Sequence, residues 1–279
     1  MKILVTGGTG FIGSKILEVL GEEGYQAQKF EGDITKIEDW EDNLKPGFDA
    51  IIHVAGVRTE TGTDLKVNLG GVEALKQALL TISKTTELLI FISSQAVYIG
   101  TKPPFKEDLK LTPKTLYGIS KLRAENLVRQ IGEQYHIRTV IFRPSPVLGK
   151  GVREKSRMSG PLYSFMQKAL ENEDIDIFQD GNQTRDYVNV ADVVKAILLA
   201  IRNQEMEGIF NIGGGKRVKV IELAEWIKEA AGSRSVIVVK GGEASFSDPK
   251  EMFSDTTKLE QFGWKAQESL RDAIKSLFD

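Results

Sequence analysis

A glycine-rich turn near the start of the chain limits what this sequence can fold into. Residues 5–13, VTGGTGFIG, follow the apolar run of residues 3–5 and precede apolar residues at helical spacing. This order predicts a buried strand, a tight turn and the N-terminus of a helix. The first backbone N–H groups of such a helix carry the positive end of its dipole, so they can hold a pyrophosphate.

The glycines of this turn have separate expected roles in a dinucleotide-binding fingerprint. Gly7 or Gly8 makes the tight turn. Gly10 lets the backbone approach the pyrophosphate, and Gly13 lets the helix pack closely on the strand. A strand-to-helix turn without a ligand is the alternative. The position directly between a predicted strand and a predicted helix favours nucleotide binding.

Composition limits the classes of function. The 279 residues carry a formal net charge of -2, which gives no electrostatic reason to expect a nucleic acid or an anionic membrane as partner. Zero cysteines exclude disulfides and thiolate metal sites. No apolar run approaches the roughly 18 residues of a membrane span. Because the chain starts directly with a predicted strand, we expect a soluble, cytoplasmic protein without a signal peptide.

Predicted strands and helices alternate through the first 144 residues. The strands are Lys2 to Thr6, Tyr25 to Phe30, Phe48 to Val54, Glu87 to Ile92 and Thr139 to Phe142. The helices are Phe11 to Glu23, Ile37 to Leu44, Thr63 to Ser83 and Leu116 to Gly132. This alternation predicts an α/β fold with a doubly wound parallel sheet that binds ligands at the carboxyl ends of its strands.

The second half of the chain is less regular. Ser145 to Gly160 is predicted to be a mobile surface loop that could cover a site, and Val218 to Ala230 is predicted to be helical. We expect residues 1–144 to form a cofactor-binding domain, to which residues of about 186–212 return. Residues 145–279 should form mainly a smaller substrate-binding α/β part.

Two strand ends suggest where a dinucleotide would lie. Glu31 follows the second strand about 20 residues after the glycines, where a carboxylate accepts a ribose 2′-OH and repels a 2′-phosphate. This favours NAD over NADP, although Lys29 and Lys36 lie close by and Glu31 could be a solvated turn residue.

Ala55-Gly56 ends the third strand with small side chains. His53 just before them is predicted to be a packed core histidine rather than an acid–base group, and no metal site is expected.

A tyrosine and a lysine at positions i and i+4 carry the predicted chemistry. Tyr117 and Lys121 fall on one face of a predicted helix. A nearby ammonium stabilises a phenolate, so we expect a lowered pKa for Tyr117 and a role as general base or acid. Ser94 ends the fourth strand and would hydrogen-bond the reacting oxygen. Tyrosine and lysine occur at this spacing by chance in many helices, but the glycine turn and Ser94 favour catalysis.

Several motifs together resemble one family over almost the whole chain. The matching stretches are TGGTGFIG, HVAG, the helix around Asn68, SSQAVY, YGISK, FRPSPVLG, DGNQTRDYVNVADV, FNIGGG and SDTTKLEQFGW. They resemble the NAD-dependent epimerase/dehydratase family of the extended short-chain dehydrogenase/reductase superfamily, which includes UDP-galactose 4-epimerase. The resemblance implies a Rossmann-like fold, NAD as cofactor and a nucleotide sugar as substrate.

The resemblance also assigns roles to positions of this sequence. It implies that Ser94, Tyr117 and Lys121 are catalytic, with Lys121 also at the nicotinamide ribose. Residues expected at the cofactor are Gly7, Gly10, Phe11, Ile12, Gly13, Glu31, Asp33, Ile34, Val54, Ala55, Gly56, Asn68, Tyr117, Lys121 and Pro144. Residues expected at the substrate are Ser94, Gln95, Tyr117 and Arg185. The resemblance places Asp33 and Ile34 at the adenine and Arg185 at a phosphate, and an ion pair with Asp186 or Asp192 is the alternative for Arg185.

Three places in the sequence depart from the family pattern. Pro146 stands where the 4-epimerase has an asparagine that contacts the substrate. Phe246 to Asp255 lacks an arginine that often binds the second phosphate, and Ser245 stands near that place. Gln95 and Ala96 replace the Asp-Glu pair of sugar 4,6-dehydratases. Without an acid to expel water, we expect no dehydration.

We therefore expect an NAD-dependent nucleotide-sugar epimerase that acts through a transient 4-keto intermediate. The alternative is an NAD(P)-dependent oxidoreductase of a keto sugar or a small carbonyl compound, and a non-catalytic dinucleotide sensor is a third hypothesis. No nucleic acid, membrane or metal is expected as a partner. By analogy with relatives, the chain could form a homodimer through its Thr63–Ser83 and Leu116–Gly132 helices.

Overall fold

The computed structural model describes residues 1–81, 86–151, 161–243 and 249–278. Its strands are β1 (Lys2–Thr6), β2 (Gln26–Lys29), β3 (Ala50–His53), β4 (Leu88–Ile92), β5 (Arg138–Pro144), β6 (Val147–Leu148), β7 (Ile175–Phe178), β8 (Thr184–Arg185), β9 (Val188–Asn189), β10 (Gly208–Ile212), β11 (Val218–Lys219), β12 (Ile237–Gly241) and β13 (Glu251–Met252). Its α-helices are α1 (Phe11–Glu22), α2 (Ile37–Leu44), α3 (Gly62–Asp64), α4 (Gly70–Ala78), α5 (Leu116–Tyr135), α6 (Pro161–Glu171), α7 (Val190–Arg202), α8 (Val220–Ala230), α9 (Thr257–Glu260) and α10 (Leu270–Lys275).

Six strands form the main sheet, in the order β10-β5-β4-β3-β1-β2, and every neighbouring pair is parallel. The chain runs outward from β1 to β2 and then crosses to β3 on the other side of β1. The strand order therefore reverses between β1 and β3, which is the place where open α/β sheets bind their ligands. The predicted α/β fold with a doubly wound parallel sheet is confirmed.

Both faces of the main sheet are covered, as its apolar strands require. Alternate side chains point to opposite faces of a strand. On one face, β-strand residues such as Ile3 and Ile90 pack with α1 and α7. On the other face, Leu4 and Leu89 pack with α2, α4 and α5. The strands β3 and β4 are buried along their whole length, so the rigid centre of the sheet supports the loops at its carboxyl edge.

The predicted long helix over Thr63–Ser83 is interrupted. A π-helical turn at Leu65–Leu69 separates α3 from α4, and α4 ends at Ala78. The side chain of Asn68 in this turn hydrogen-bonds the backbone of Val57 in the preceding loop, and the π-helical turn accommodates these bonds. Residues 82–85 of the prediction lie outside the described residues.

The predicted helix from Val218 also starts later than expected. Val218–Lys219 forms β11, which pairs antiparallel with β8, and α8 begins at Val220. The carboxylate of Glu222 accepts the Lys219 N–H at 3.0 Å, so it satisfies a backbone donor at the helix start. The Ser145–Gly160 loop contains the short strand β6, and its residues 152–160 lie outside the described residues.

A second hydrophobic core lies beside the main sheet. It is built by α6, α8 and α10 with the small sheets β7-β12 and β11-β8-β13, and Phe165 and Leu223 are buried in it. Within the described ranges, no helix is long and apolar enough to cross a membrane. The strand β10 returns to the main sheet beside β5, and α7 packs on α1. The division into a cofactor part and a substrate part stays a proposal.

Candidate functional site

The glycine turn between β1 and α1 is closed by contacts that leave no room for side chains. Gly7 has a φ of +68°, which favours glycine, and a Cβ there would lie 2.9 Å from the Ala55 nitrogen. The Gly10 N–H donates to the Gly7 carbonyl at 2.9 Å. A Cβ on Gly13 would lie only 2.1 Å from the same carbonyl oxygen, so α1 reaches the turn only because residue 13 is glycine.

The start of α1 offers backbone donors to an anion. Gly10 is the N-cap residue, and no side chain caps the helix there. The first N–H groups of the helix have no intrahelical partner, and the helix dipole adds positive potential. Phe11 is buried in the second core, and Ile12 is half-buried. This cradle of glycines and free donors fits the pyrophosphate of a dinucleotide.

Glu31 lies at the surface just after β2. Its carboxylate forms an ion pair with Lys29 at 3.0 Å, and both side chains are exposed. Asn43 holds the Glu31 backbone on both sides, accepting from its N–H at 2.9 Å and donating to its carbonyl at 2.7 Å. The backbone is therefore fixed while the carboxylate stays accessible at the position expected for a ribose.

The next loop presents Asp33 and Ile34. The Asp33 carboxylate accepts hydrogen bonds from the backbone N–H and hydroxyl of Thr35, and these bonds hold the pKa of Asp33 below its usual range. Ile34 packs against α4, where a Cβ on Gly71 would lie 2.8 Å from its Cδ1. The loop between β2 and α2 is thus held against α4.

The floor of the site is the end of β3, held by one threonine. The Thr6 hydroxyl accepts from the N–H groups of Val54 and Ala55, each at 3.0 Å, and lies 3.0 Å from His53 Nδ1. Because the oxygen already accepts twice, its proton points to Nδ1, and the histidine carries its own proton on Nε2. Burial lowers the pKa of His53 to about 3, so it is neutral. The prediction of a packed core histidine is confirmed.

Asn68 ties the loop after β3 to α5. Its Oδ1 accepts from the Val57 N–H at 2.8 Å, while its Nδ2 donates to the Val57 carbonyl and to the Ser120 hydroxyl, both at 2.9 Å. Gly56 lies between these elements, since a Cβ there would be 2.7 Å from Asn68 Oδ1 and 3.2 Å from Lys121 Nζ. These hydrogen bonds of Asn68 hold the loop after β3 against α5, close to Lys121.

Ser94 and Tyr117 meet at the carboxyl end of β4. Ser94 caps the 3₁₀ turn Gln95–Tyr98, and Tyr117 lies in the first turn of α5, where the Thr115 hydroxyl accepts from the Gly118 N–H at 3.0 Å. The Ser94 hydroxyl hydrogen-bonds the Tyr117 phenol. Burial raises the pKa of Tyr117 above its usual value, while the Ser94 hydrogen bond acts in the opposite direction.

Lys121 lies below the tyrosine, buried between α5 and the sheet. Its Nζ donates to the Ile92 carbonyl at 2.9 Å and stands 6.0 Å from the centre of the Tyr117 ring. Burial lowers the pKa of Lys121 to about 8. The expectation of a lowered pKa for Tyr117 is wrong for this structure, because desolvation outweighs the favourable contacts and Lys121 is hydrogen-bonded to the backbone.

A second cation, which the sequence did not reveal, lies near the ring of the tyrosine. The Arg58 guanidinium lies 5.6 Å from the centre of the Tyr117 ring, and its charge acts to lower the pKa of the phenol. Glu60 places this arginine, with its Oε1 3.7 Å from Arg58 Nε and its Oε2 accepting the Tyr117 N–H at 3.3 Å. Asp64 fixes the loop by accepting the Glu60 N–H at 2.7 Å. No helical or strand periodicity marks Arg58, so the sequence carried no signal for it.

A buried ion pair holds the helix that carries Tyr117 and Lys121. The Arg143 guanidinium binds both carboxylate oxygens of Glu125, at 3.0 and 2.6 Å, and donates to the Tyr98 hydroxyl at 2.7 Å. Glu125 is one helical turn beyond Lys121. The pair therefore joins α5 to the end of β5 through a planar, two-point contact.

Gln95, the residue after Ser94, belongs to a buried polar cluster. Its Nε2 donates to the hydroxyls of Ser145 and Ser254, at 3.1 and 2.7 Å. Ser145 in turn donates to Asp186 at 2.8 Å. Asp186 also accepts the Gly214 N–H at 2.9 Å, and its burial raises its pKa to about 6. These residues come from five separate parts of the chain, and only the predicted role of Gln95 at the substrate pointed to this cluster.

Arg185 is buried in β8, between β11 and β13. Its Nη1 donates to the Thr184 carbonyl at 2.8 Å. Asp192 accepts from Lys195 at 3.2 Å and from backbone N–H groups that follow α9. Pro144 is buried at the end of β5, opposite Ile212 of β10. The roles of Arg185 and Pro144 at ligands stay predictions.

Comparison with known proteins identifies the family. The model of the NAD dependent epimerase/dehydratase family matches residues 3–213. The chain belongs to this family. A putative UDP-glucose 4-epimerase of Methanocaldococcus jannaschii is 33% identical over 98% of this chain and 96% of that protein. The crystal structure of Thermotoga maritima UDP-glucose 4-epimerase with UDP-glucose has a TM-score of 0.87 at 28% identity, covering 100% of this chain and 97% of that one.

The family contains more than one activity. A dTDP-4-dehydro-6-deoxyglucose reductase of Escherichia coli is 30% identical over 68% of this chain and 60% of that protein. Membership of the NAD-dependent epimerase/dehydratase family confirms the predicted superfamily, the enzyme class and NAD as the cofactor of the family. The geometry brings Ser94, Tyr117 and Lys121 together beside the glycine turn.

Proposed function

We propose that this family member is a nucleotide-sugar 4-epimerase that uses NAD and acts through a transient 4-keto sugar. The observation that carries the proposal is the meeting of Ser94, Tyr117 and Lys121 at the carboxyl end of β4, next to the reversal point between β1 and β3. Both full-length relatives compared above are named as UDP-glucose 4-epimerases, which supports UDP-hexoses as the substrate class.

The residues proposed to hold NAD follow the neighbouring strands β2, β1 and β3 of the main sheet. The cradle of Gly7, Gly10 and Gly13 would take the pyrophosphate, and Glu31 would accept the adenosine ribose hydroxyls. The end of β3 at Ala55 would support the other half of the dinucleotide. When bound, NAD supplies the acceptor and donor of hydride for the sugar C4.

Tyr117 is proposed to take the proton from the C4 hydroxyl and to return it to the 4-keto oxygen. Ser94 would orient that oxygen by a hydrogen bond of its own hydroxyl, which lies beside the phenol. Arg58 would favour the phenolate by its charge. Lys121, held at the Ile92 carbonyl, is proposed to bind the nicotinamide ribose.

The substrate is proposed to lie between this group and the second core. Arg185 offers a guanidinium to a phosphate of the nucleotide sugar, with its fork suited to two oxygens. Pro146 and the lack of an arginine in Phe246–Asp255 mean that fewer phosphate and sugar contacts are expected than in the 4-epimerase pattern. The binding of the sugar should therefore depend strongly on the residues near Ser94.

Product analysis tests the proposed function. Purified protein is incubated with UDP-glucose, UDP-galactose and UDP-glucuronic acid, and NMR detects conversion at C4 without net reduction of NAD. Tyr117→Phe should lower kcat by roughly a hundredfold to ten-thousandfold, as expected for loss of a general base. The same variant should keep its bound NAD, which absorbance and mass spectrometry measure. Full activity of Tyr117→Phe would contradict the role of the phenol.

A reductase is the second candidate, since the partial relative from Escherichia coli is named for reduction of a 4-keto sugar. The same site residues would protonate the carbonyl oxygen, but the cofactor would leave after each turnover. Rapid exchange of cofactor and steady consumption of NADH with a 4-keto sugar would favour reduction. Persistent NAD in the purified protein would favour epimerisation.

We also propose a cytoplasmic homodimer. The helices α4 and α5 lie against each other, with Lys76 Nζ donating to Gln130 Oε1 at 3.2 Å, so together they could form half of a four-helix bundle. Sedimentation equilibrium gives the mass in solution, and a mass near 30.9 kDa at micromolar concentration would contradict the dimer.

A further inference from the structure

We propose that Lys29 lets the cofactor site accept NADP(H) as well as NAD(H), by exchanging its ion pair with Glu31 for one with the 2′-phosphate of the adenosine ribose. The inference rests on the proposed NAD site and adds the residue that determines how strictly this site excludes the phosphorylated cofactor. It is carried by the path of the Lys29 side chain, which crosses the glycine turn and ends at the Glu31 carboxylate.

The stem of Lys29 lies on the glycine turn. Lys29 is the last residue of β2 and pairs in register with Val5 of β1. A Cβ on Gly8 would lie 2.6 Å from Lys29 Cγ and 3.1 Å from its Cδ. The apolar part of the side chain therefore packs against the turn that is proposed to hold the pyrophosphate, and the charged end stays in water. Packing of the stem keeps the ammonium at this end of the cofactor site.

The ammonium of Lys29 is held only by an exposed acid. Within the described residues its Nζ pairs with Glu31 Oε1 alone, at 3.0 Å. The Glu31 side chain is 72% exposed, and ion pairs in contact with water contribute little to stability. Asn43 holds the backbone of Glu31, so the carboxylate can turn into solvent without a movement of the loop. The pair can therefore open when a stronger anion arrives.

The two charged groups suit two different ribose substituents. An acid after the second strand accepts a ribose 2′-OH and repels a 2′-phosphate, which normally restricts the site to NAD. Here the acid carries its own counter-ion, so its repulsion of a phosphate is weakened. With a 2′-hydroxyl, Glu31 would accept the hydrogen bond. With a 2′-phosphate, Lys29 would donate to the phosphate oxygens in a charge-assisted hydrogen bond, and Glu31 would turn away.

Cofactor binding in the absence of sugar tests this inference. Cofactor-free protein is titrated with NADH and with NADPH, and the fluorescence of the reduced nicotinamide gives each Kd. We expect wild type to bind NADPH within about thirtyfold of NADH. Lys29→Met keeps the packed stem and removes the ammonium. It should bind NADPH roughly tenfold more weakly than wild type does, while its Kd for NADH changes by less than about twofold.

Lys36→Met is the matched control. Lys36 is the N-cap residue of α2, and its charge adds to the hydrogen bonds of Thr35 in lowering the pKa of Asp33, so it lies near the same loop. It should change both affinities by less than about threefold, as expected for a solvated charge. Lys29→Arg keeps a cation on the turn and should retain NADPH binding, which covers the case in which Lys29→Met does not fold, as judged by thermal unfolding.

The outcomes separate this inference from the proposed cofactor site. A wild type that prefers NADH by more than about thirtyfold would overturn the role of Lys29 and leave the NAD site intact. An equal change for both cofactors in Lys29→Met, no change, or the same selective loss in Lys36→Met would also overturn it. If neither cofactor binds, the proposed NAD site fails first, and the inference falls with it.

Discussion

At the level of single residues, the acidity of Tyr117 is the quantity on which the proposed chemistry depends. Burial has the largest effect and raises its pKa, and the charges of Asp64 and Glu60 act in the same direction. The Ser94 hydrogen bond and the Arg58 charge lower it. Lys121, four residues along the helix, was expected to be the main stabiliser of the phenolate. Its ammonium is instead bonded to the Ile92 carbonyl at 2.9 Å.

Arg58→Gln tests the contribution of the second cation. Removing the charge should raise the pKa of Tyr117 further, so the acidic limb of the kcat profile should move to higher pH. At pH 7 we expect a loss of roughly twofold to tenfold, which corresponds to a pKa rise of up to about 1. The pH profiles of both proteins are measured with UDP-glucose. Arg58→Lys keeps the charge and serves as the control. Identical profiles for wild type and Arg58→Gln would show that Arg58 does not act on the phenol.

At the level of elements, the contact of α1 with the β1 turn makes the cofactor cradle. The two meet through Gly13, where any side chain would be 2.1 Å from the Gly7 carbonyl oxygen. The helix start can approach a pyrophosphate only while this contact is kept. The sequence predicted this contact between α1 and the turn, because the spacing of the glycines indicates both the tight turn and the close packing of the helix.

Gly13→Ala should therefore damage NAD binding more than it damages folding. The added methyl group must push α1 from the turn, so we expect at least a tenfold weaker NAD affinity, about 1.4 kcal/mol. Calorimetric titration of the cofactor-free protein with NAD measures this affinity. Gly21→Ala in the same helix is the control, since a Cβ there meets nothing within 4 Å. That variant should be neutral or more stable by about 0.5–1 kcal/mol. Equal NAD affinity in all three proteins would contradict the proposed cradle.

At the level of the whole molecule, Asp186 joins loops that follow two strands of the main sheet. Its carboxylate, which is fully buried, bonds the loop after β5 through Ser145 and the loop after β10 through Gly214. Burial raises its pKa to about 6, whereas the unfolded chain has the ordinary value of 3.8. The folded state therefore binds this proton more tightly, and ionisation of Asp186 opposes folding.

The pH dependence of stability should show this effect. As pH rises from about 4 to 6, the free energy of unfolding should fall by up to about 3 kcal/mol through this one group. In Asp186→Asn the same decline should be missing, because an amide does not titrate. Urea unfolding of both proteins at several pH values gives the difference. Parallel curves would show that the pKa of Asp186 is not raised in the folded protein.

Much of the fold followed from local sequence. The apolar runs predicted the five strands of the sheet up to residue 144 with small errors at their ends. This was possible because the spacing of apolar residues within a segment indicates both its secondary structure and its burial. The break at Leu65–Leu69 was missed, because it depends on the bonds of Asn68 to Val57 in another loop. The late start of α8 was missed because pairing of Val218 with Arg185 is a tertiary contact.

The sequence by itself determined the family, the glycine cradle and the catalytic candidates Ser94, Tyr117 and Lys121, because turn geometry and helical spacing are local properties. Only the tertiary structure decided the pKa values and the hydrogen-bond partners of these groups. The raised pKa of Tyr117 and the bond of Lys121 to Ile92 depend on burial, which no local pattern fixes. Likewise, Gln95 meets Ser254 across 159 positions of the chain, and only the folded sheet edge brings them to 2.7 Å.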